Sequence, residues 1–306
     1  MGIDLQVTLA GISLRNPVLT ASGTYGFGEE YAPYCPVEAL GGITVKGITL
    51  QPRLGNPVPR LAETPAGLLN AVGLENPGLD EFIESYLPRL RRLPTAVIAN
   101  ISGFALEEYA EMAQALRSDS GLAALEVNIS CPNVRHGGMY FGTDPKSAEE
   151  VLAAVKKETD LPVIAKLSPN VTNIGEMARA VAAGGADVVS LINTLLGMSI
   201  DIEKRRPVLA NTFGGLSGPA VRPVAVRMVW QVAEAVNLPI IGMGGISTWQ
   251  DALEFILAGA SAVSIGTGNF VNPQAPLEIV DGIRDYCERH GFKAVSELVE
   301  LAHRRD

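Results

Sequence analysis

The chain has 306 residues, 47% of them apolar and 19% charged, a balance that buries a large core and excludes a disordered or fibrous chain. Its 24 basic and 33 acidic residues leave a formal charge of −9, so no global positive field draws in nucleic acid. Apolar runs are broken by Gly, Asn, Ser or Lys well short of the roughly 18 residues a membrane span requires. The start, Met1-Gly2-Ile3-Asp4-Leu5-Gln6, lacks both the basic region and the apolar core of a targeting segment. The expectation is a cytoplasmic protein with no nucleic-acid or membrane partner. Three cysteines, Cys35, Cys131 and Cys287, are too dispersed for a metal knuckle. Their odd count argues against a disulfide framework, and they cannot supply the four thiolates of an iron–sulfur cluster, so no metal site is expected.

In chain order, residues 5–9 and 12–14 flank Ala10-Gly11 and predict a small hairpin, placed to plug the bottom of the fold. Short Val-, Ile- and Leu-rich runs follow at 16–23, 42–47, 96–102, 124–130, 162–168, 188–194, 239–245 and 262–268. Between them, 107–117, 145–159, 172–183, 221–236 and 248–257 carry apolar residues at three-to-four spacing, the mark of amphipathic helices. Asp144-Pro145 and Ser247-Thr248 read as helix starts, with Pro at the first helical position in the former. Alternating strands and helices imply parallel βαβ units, and eight strands close most economically into a (β/α)8 TIM barrel, read here as one domain over 1–306. The connections 49–77 and 195–220 are too long for ordinary turns, and both follow strand C-termini, the catalytic face of such barrels.

Polar residues gather at those strand ends: Ser22, Lys46, Asn100, Asn128, Lys166, Asn193 with Thr194, Gly244-Gly245 and Gly266-Thr267. A lone Asn in a strand is more often structural. Eight polar strand ends together favour a ligand, because each inward polar group costs a few kcal/mol unless partnered. Gly-Met-Gly-Gly (242–245) and Ile-Gly-Thr-Gly (265–268) close the last two strands, where barrels commonly bind phosphate through backbone N–H groups. With Val at 271 and an eighth-strand position, the second stretch is no dinucleotide fingerprint.

Lys46 and Lys166 follow apolar strand residues and each calls for an anion or a catalytic task. One task is a Schiff base, as in aldolase-type barrels; the other is electrostatic, toward a substrate carboxylate and toward negative charge developing on a cofactor ring. Cys131 follows strand four among Asn128, Ser130 and Asn133, a polar mouth that suits a reactive thiol acting as nucleophile or general base. Cys35 and Cys287 read as inert apolar residues. His136 falls in the loop after Cys131, whereas His290 and His303 read as surface residues of a C-terminal helical region. Gly137-Gly138 offer hinges for a loop, 131–142, able to close over the site.

An ordered set of segments then carries a resemblance across essentially the whole chain: Asn16-Pro-Val-Leu-Thr-Ala-Ser-Gly23, Val45-Lys-Gly47, Glu63-Thr-Pro-Ala-Gly-Leu-Leu-Asn-Ala-Val-Gly-Leu74, Asn128-Ile-Ser-Cys-Pro-Asn133, Lys166-Leu-Ser-Pro169, Gly214-Gly-Leu-Ser-Gly218 and Gly242-Met-Gly-Gly245. The chain resembles the dihydroorotate dehydrogenases. Tyr25-Gly-Phe-Gly-Glu-Glu-Tyr31, Pro52-Arg-Leu-Gly-Asn56, a Cys where the membrane-associated class has Ser, and no membrane-binding extension make it similar to the NAD-linked, heteromeric class 1B. That resemblance implies oxidation of (S)-dihydroorotate to orotate in pyrimidine biosynthesis. It implies one FMN per chain, held by Ser22, Lys46, Gly47, Asn100, Asn128, Lys166, Ile192 (through its backbone), Gly218, Gly244, Gly245, Gly266 and Thr267. Substrate would meet Lys46, Asn70, Ala71, Val72, Gly73, Leu74, Asn128, Asn193 and Thr194. Cys131 would be the base at C5, hydride would pass from C6 to flavin N5, and Lys166 would stabilise charge near N1. An iron–sulfur flavoprotein subunit carrying FAD and a [2Fe-2S] cluster would relay electrons to NAD, in a heterotetramer of two catalytic and two partner chains built on a homodimer. A Schiff-base lyase or aldolase using Lys166 or Lys46 is the main alternative. A flavoenzyme reducing uridine in tRNA is disfavoured by the acidic charge, and a non-catalytic binding barrel by the filled set of polar strand ends.

Overall fold

Aliphatic runs too short for helices become strands where both of their faces are covered. The computed structural model describes residues 2–129 and 141–304. In chain order the strands are β1 (Val7–Leu9), β2 (Ile12–Leu14), β3 (Val18–Thr20), β4 (Gly42–Thr44), β5 (Leu61–Thr64), β6 (Gly67–Asn70), β7 (Ala96–Ile101) and β8 (Ala124–Asn128). They continue with β9 (Val163–Lys166), β10 (Val188–Leu191), β11 (Leu195–Gly197), β12 (Ile200–Asp201), β13 (Arg206–Pro207), β14 (Gly214–Ser217), β15 (Ile240–Met243) and β16 (Ala262–Ile265). β3, β4, β7, β8, β9, β10, β15 and β16 pair in that order as parallel neighbours, and β16 returns to β3, closing the (β/α)8 barrel expected.

The helices wrap the strands with the expected caps, within a residue or two of the expected bounds. Asp144 opens the helix Pro145–Glu158 by accepting from the Ser147 N–H at 2.8 Å, and hydrogen bonds from Ser147 hold its carboxyl below the usual range. Thr248 opens Trp249–Leu257 in a capping box with Asp251. A helical segment at 79–90, with a π turn over Phe82–Tyr86, was not expected from the sequence, since its Leu87-Pro88 step breaks the periodicity. β1 and β2 form the expected hairpin, with Val7 opposite Leu14 and Ala10 and Gly11 both at positive φ. It enters β3 directly, at the N-terminal end of the barrel, with Leu9 and Leu14 fully buried.

The ladder strands stop short of the sequence runs. β3 ends at Thr20, β4 at Thr44 and β10 at Leu191, so Ser22, Lys46, Asn193 and Thr194 lie just beyond regular pairing. Strands must diverge there to leave room at the mouth. The two long connections also do more than cover the mouth separately: β5 and β6 from one, β11 and β14 from the other, join as an antiparallel sheet in the order β11-β14-β6-β5. Its apolar centre is a small second cluster, Leu69, Ala71 and Leu209.

Phe255 tests the layer between helix and barrel. It is fully buried, and its ring lies so close to Gly242 of β15 that a Cβ there would be 2.6 Å from Cδ1. Phe255→Ala is expected to lower unfolding free energy by about 3–5 kcal/mol, read as a lower guanidinium midpoint at unchanged slope. A loss below about 1 kcal/mol would contradict this packing.

Candidate functional site

Register brings the polar strand residues to adjoining levels inside the barrel. Asn100 pairs with Glu126, and Lys166 lies between Asn128 on one side and Ser190 on the other. Alternation then turns these side chains inward. All are buried: Asn100 and Ser190 fully, Glu126 at 2%, Lys166 at 5% and Asn128 at 8% exposure. Glu126 is held from two sides, accepting from Asn100 Nδ2 at 2.6 Å and from the Ser190 hydroxyl at 2.7 Å. Lys166 Nζ stands 3.8 Å from Glu126 Oε2. Asn100 Oδ1, by contrast, is buried with no hydrogen-bond partner among the described residues, and it faces Gly47, where a Cβ would come within 2.8 Å of it.

Beyond β15 and β16 the backbone forms a cradle. Gly244 and Gly245 both have positive φ, 123° and 78°, a conformation that side-chain-bearing residues avoid. A Cβ on Gly245 would lie 2.7 Å from the Gly218 carbonyl oxygen and 3.0 Å from the Arg222 nitrogen, so backbone there comes closer than any other residue permits. Thr267 donates to Ser217 Oγ at 2.7 Å, and Ser217 donates to the Leu68 carbonyl at 3.2 Å. These bonds tie the cradle to β14 and β6 of the covering sheet. Arg222 pairs with Asp251 and Glu254.

The covering sheet carries the third wall. Asn70, at the end of β6, donates to the Gly215 carbonyl at 3.3 Å. Gly73 and Leu74 turn with positive φ back toward the barrel. Asn170 fixes the start of β11 by donating to the Thr194 carbonyl at 3.0 Å and accepting from Leu196 N–H at 2.9 Å.

The three walls enclose a cavity of about 410 Å³, within the usual size of a ligand pocket. Ser22, Lys46, Gly47, Asn100, Asn128, Lys166, Ile192, Gly218, Gly244, Gly245, Gly266 and Thr267 line it, as do Asn70, Val72, Gly73, Leu74, Asn193 and Thr194. Ala71 does not line it: it is fully buried among Leu69 and Leu209, on the other face of its strand end. Cys131, His136 and nearly all of the 131–142 loop lie outside the described residues. Lys46 makes no hydrogen bond or ion pair through its ammonium group among the described residues. Cys35 and Cys287 are fully buried away from the cavity, and burial pushes both thiols up. His290 is exposed, whereas His303 is half-buried, stacked on Trp230 at 3.5 Å.

Sequence reasoning passed over Glu126, Ser190, Ser217 and Leu216, the last two of which also line the cavity. For Glu126 a signal was present, a carboxylate inside the apolar run Ala124-Leu-Glu-Val-Asn128. Ser217 and Leu216 enter only because two distant connections pair.

A closed parallel barrel with a roomy cleft at its strand C-termini, into which polar strand-end residues reach, is the architecture of a barrel enzyme. The chain belongs to the dihydroorotate dehydrogenase family, whose profile it matches over residues 4–286. It is 59% identical over 303 residues to the "Dihydroorotate dehydrogenase B (NAD(+)), catalytic subunit" of Desulforamulus reducens, covering 99% of this chain and 100% of that one. Proteins of the same description from Geotalea uraniireducens and Bacteroides fragilis are 57% and 55% identical, over 97% of this chain and 97% and 98% of theirs. No helix among the described residues is long and apolar enough to cross a membrane.

Proposed function

We propose that the chain is the catalytic, FMN-bearing subunit of an NAD-linked dihydroorotate dehydrogenase, oxidising (S)-dihydroorotate to orotate in pyrimidine biosynthesis. The observation that carries this is the convergence, in one cavity, of a glycine cradle, a Lys46 with no ion-pair partner among the described residues, and the amides of Asn70, Asn128 and Asn193. The site suits a flavin mononucleotide on two counts. Gly244, Gly245, Gly266 and Thr267 line the cavity where β15 and β16 end and would offer backbone N–H groups to a phosphate, and the orphaned Asn100 Oδ1 offers a fixed acceptor to a ring N–H.

Bound there, FMN supplies the acceptor for the hydride leaving C6. The chain's own groups do the rest. Lys46 pairs with the substrate carboxylate, and the amides match the donor and acceptor edges of the pyrimidine. Cys131, three residues beyond Asn128 at the end of β8, takes the C5 proton as thiolate. The β11-β14-β6-β5 sheet roofs the site and limits water.

The relatives' description as a catalytic subunit supports a partner, for which we propose the FAD and [2Fe-2S] flavoprotein that passes electrons to NAD. Leu54, Val58, Leu196, Ile200 and Ile202 expose apolar side chains on the two insertions, as assembly surfaces do. For Lys166 the Schiff-base reading fares worse, because its Nζ stands 3.8 Å from the Glu126 carboxylate and suits a charge role; for Lys46 the trapping test below decides.

Anaerobic stopped-flow absorbance on the FMN-loaded chain tests the reading. Dihydroorotate should bleach the flavin's visible bands with no partner present. A loaded protein that does not bleach would remove the substrate assignment, and borohydride trapping of substrate on Lys166 or Lys46 would revive the lyase.

A further inference from the structure

Glu126 has no part in the chemistry above, yet it is a carboxylate buried at 2% exposure inside the barrel. Both of its oxygens are acceptors: Oε1 takes the Ser190 O–H at 2.7 Å and Oε2 the Asn100 N–H at 2.6 Å. A side chain that only accepts is the ionised carboxylate. Its third neighbour is Lys166, whose Nζ is 3.8 Å from Oε2. That separation is an ion pair but too long for a hydrogen bond, so the ammonium protons stay available to the cavity that Lys166 lines. The carboxylate therefore offsets the lysine's charge without occupying its donors. It also takes the Asn100 N–H, which leaves Oδ1 without a partner among the described residues and directed at Gly47 of the cavity wall.

We infer that Glu126 is a positioning residue that tempers the cofactor: it offsets the charge of Lys166, so that the site does not over-stabilise the reduced flavin, and it fixes the Asn100 carbonyl as a ring acceptor. A lone buried cation beside the ring would favour the electron-rich form and hold electrons that must be passed on. A buried anion behind that cation restores the balance, since charges in a poorly solvated interior are weakly screened. This rests on the FMN reading of the cavity.

The test is the midpoint potential of FMN bound to the purified chain, measured by equilibrium redox titration. Glu126→Gln keeps the shape and removes the charge. Binding of reduced over oxidised FMN should rise at least tenfold relative to wild type, a midpoint about 30 mV higher for a two-electron couple. Ser190→Ala removes one hydrogen bond and keeps the charge, and should leave the midpoint at the wild-type value. Should Glu126→Gln alone fail to fold, because it strands Lys166, the double variant Glu126→Gln/Lys166→Gln avoids that and should titrate above Lys166→Gln. An unchanged or lower midpoint in Glu126→Gln, a rise of equal size in Ser190→Ala, or a double variant equal to Lys166→Gln would each overturn the inference. A wild-type chain that cannot be loaded with FMN would instead overturn the cofactor reading, and the inference with it.

Discussion

Replacement of Cys131 by alanine is expected to slow the dihydroorotate-driven bleaching of bound FMN by about 10²–10⁴-fold, the usual contribution of a positioned general base. The C5–H of a saturated ring is a weak acid, so removing its proton needs a base within reach. Cys131, three residues beyond Asn128, offers such a base as its thiolate, with an ordinary thiol value near ~8.5. Wild-type bleaching should accordingly quicken as pH rises through the thiol's ionisation, and Cys131→Ser should lose that step. FMN content should be unaffected in both variants, because the cradle is built from β15, β16 and the start of the helix Arg222–Ala235. Stopped-flow rates of Cys131→Ala within about threefold of wild type would assign the proton to another group.

Gly245→Ala is expected to yield a folded chain that retains little FMN. At φ 78° an alanine pays for a left-handed backbone, a cost of roughly 1–2 kcal/mol. Its Cβ would also sit 2.7 Å from the Gly218 carbonyl oxygen and 3.0 Å from the Arg222 nitrogen. Both obstacles are backbone, so relief requires moving the turn at Gly218 away from Gly245, which opens the cradle. A combined penalty of about 3 kcal/mol corresponds to roughly a hundredfold weaker binding. Fluorescence titration of the apoprotein with FMN reads this directly, and wild-type affinity in Gly245→Ala would mean that phosphate is not held here.

Much of this protein was legible as a string. Eight aliphatic runs alternating with amphipathic helices are enough for a closed parallel barrel, because the period of burial is a local property. The polar ends of those runs pointed to the cavity for the same reason: a Lys or Asn in a fully buried strand has few places to go. The ordered segments from Asn16 to Gly245 carried the family.

What lay beyond the sequence was set by residues far apart in the chain. Ser190 and Glu126 are 64 positions apart, and their bond exists only because β8 and β10 flank β9 in the curved barrel wall. The covering sheet pairs Asn70 with Gly215 across 145 positions, and neither connection has the alternation to reveal it alone. The same pairing turns Ala71 inward, away from the cavity that its neighbours Asn70 and Val72 line. Periodicity records which way a side chain faces within its own element; which side chains meet depends on closure and register, which only the folded chain decides.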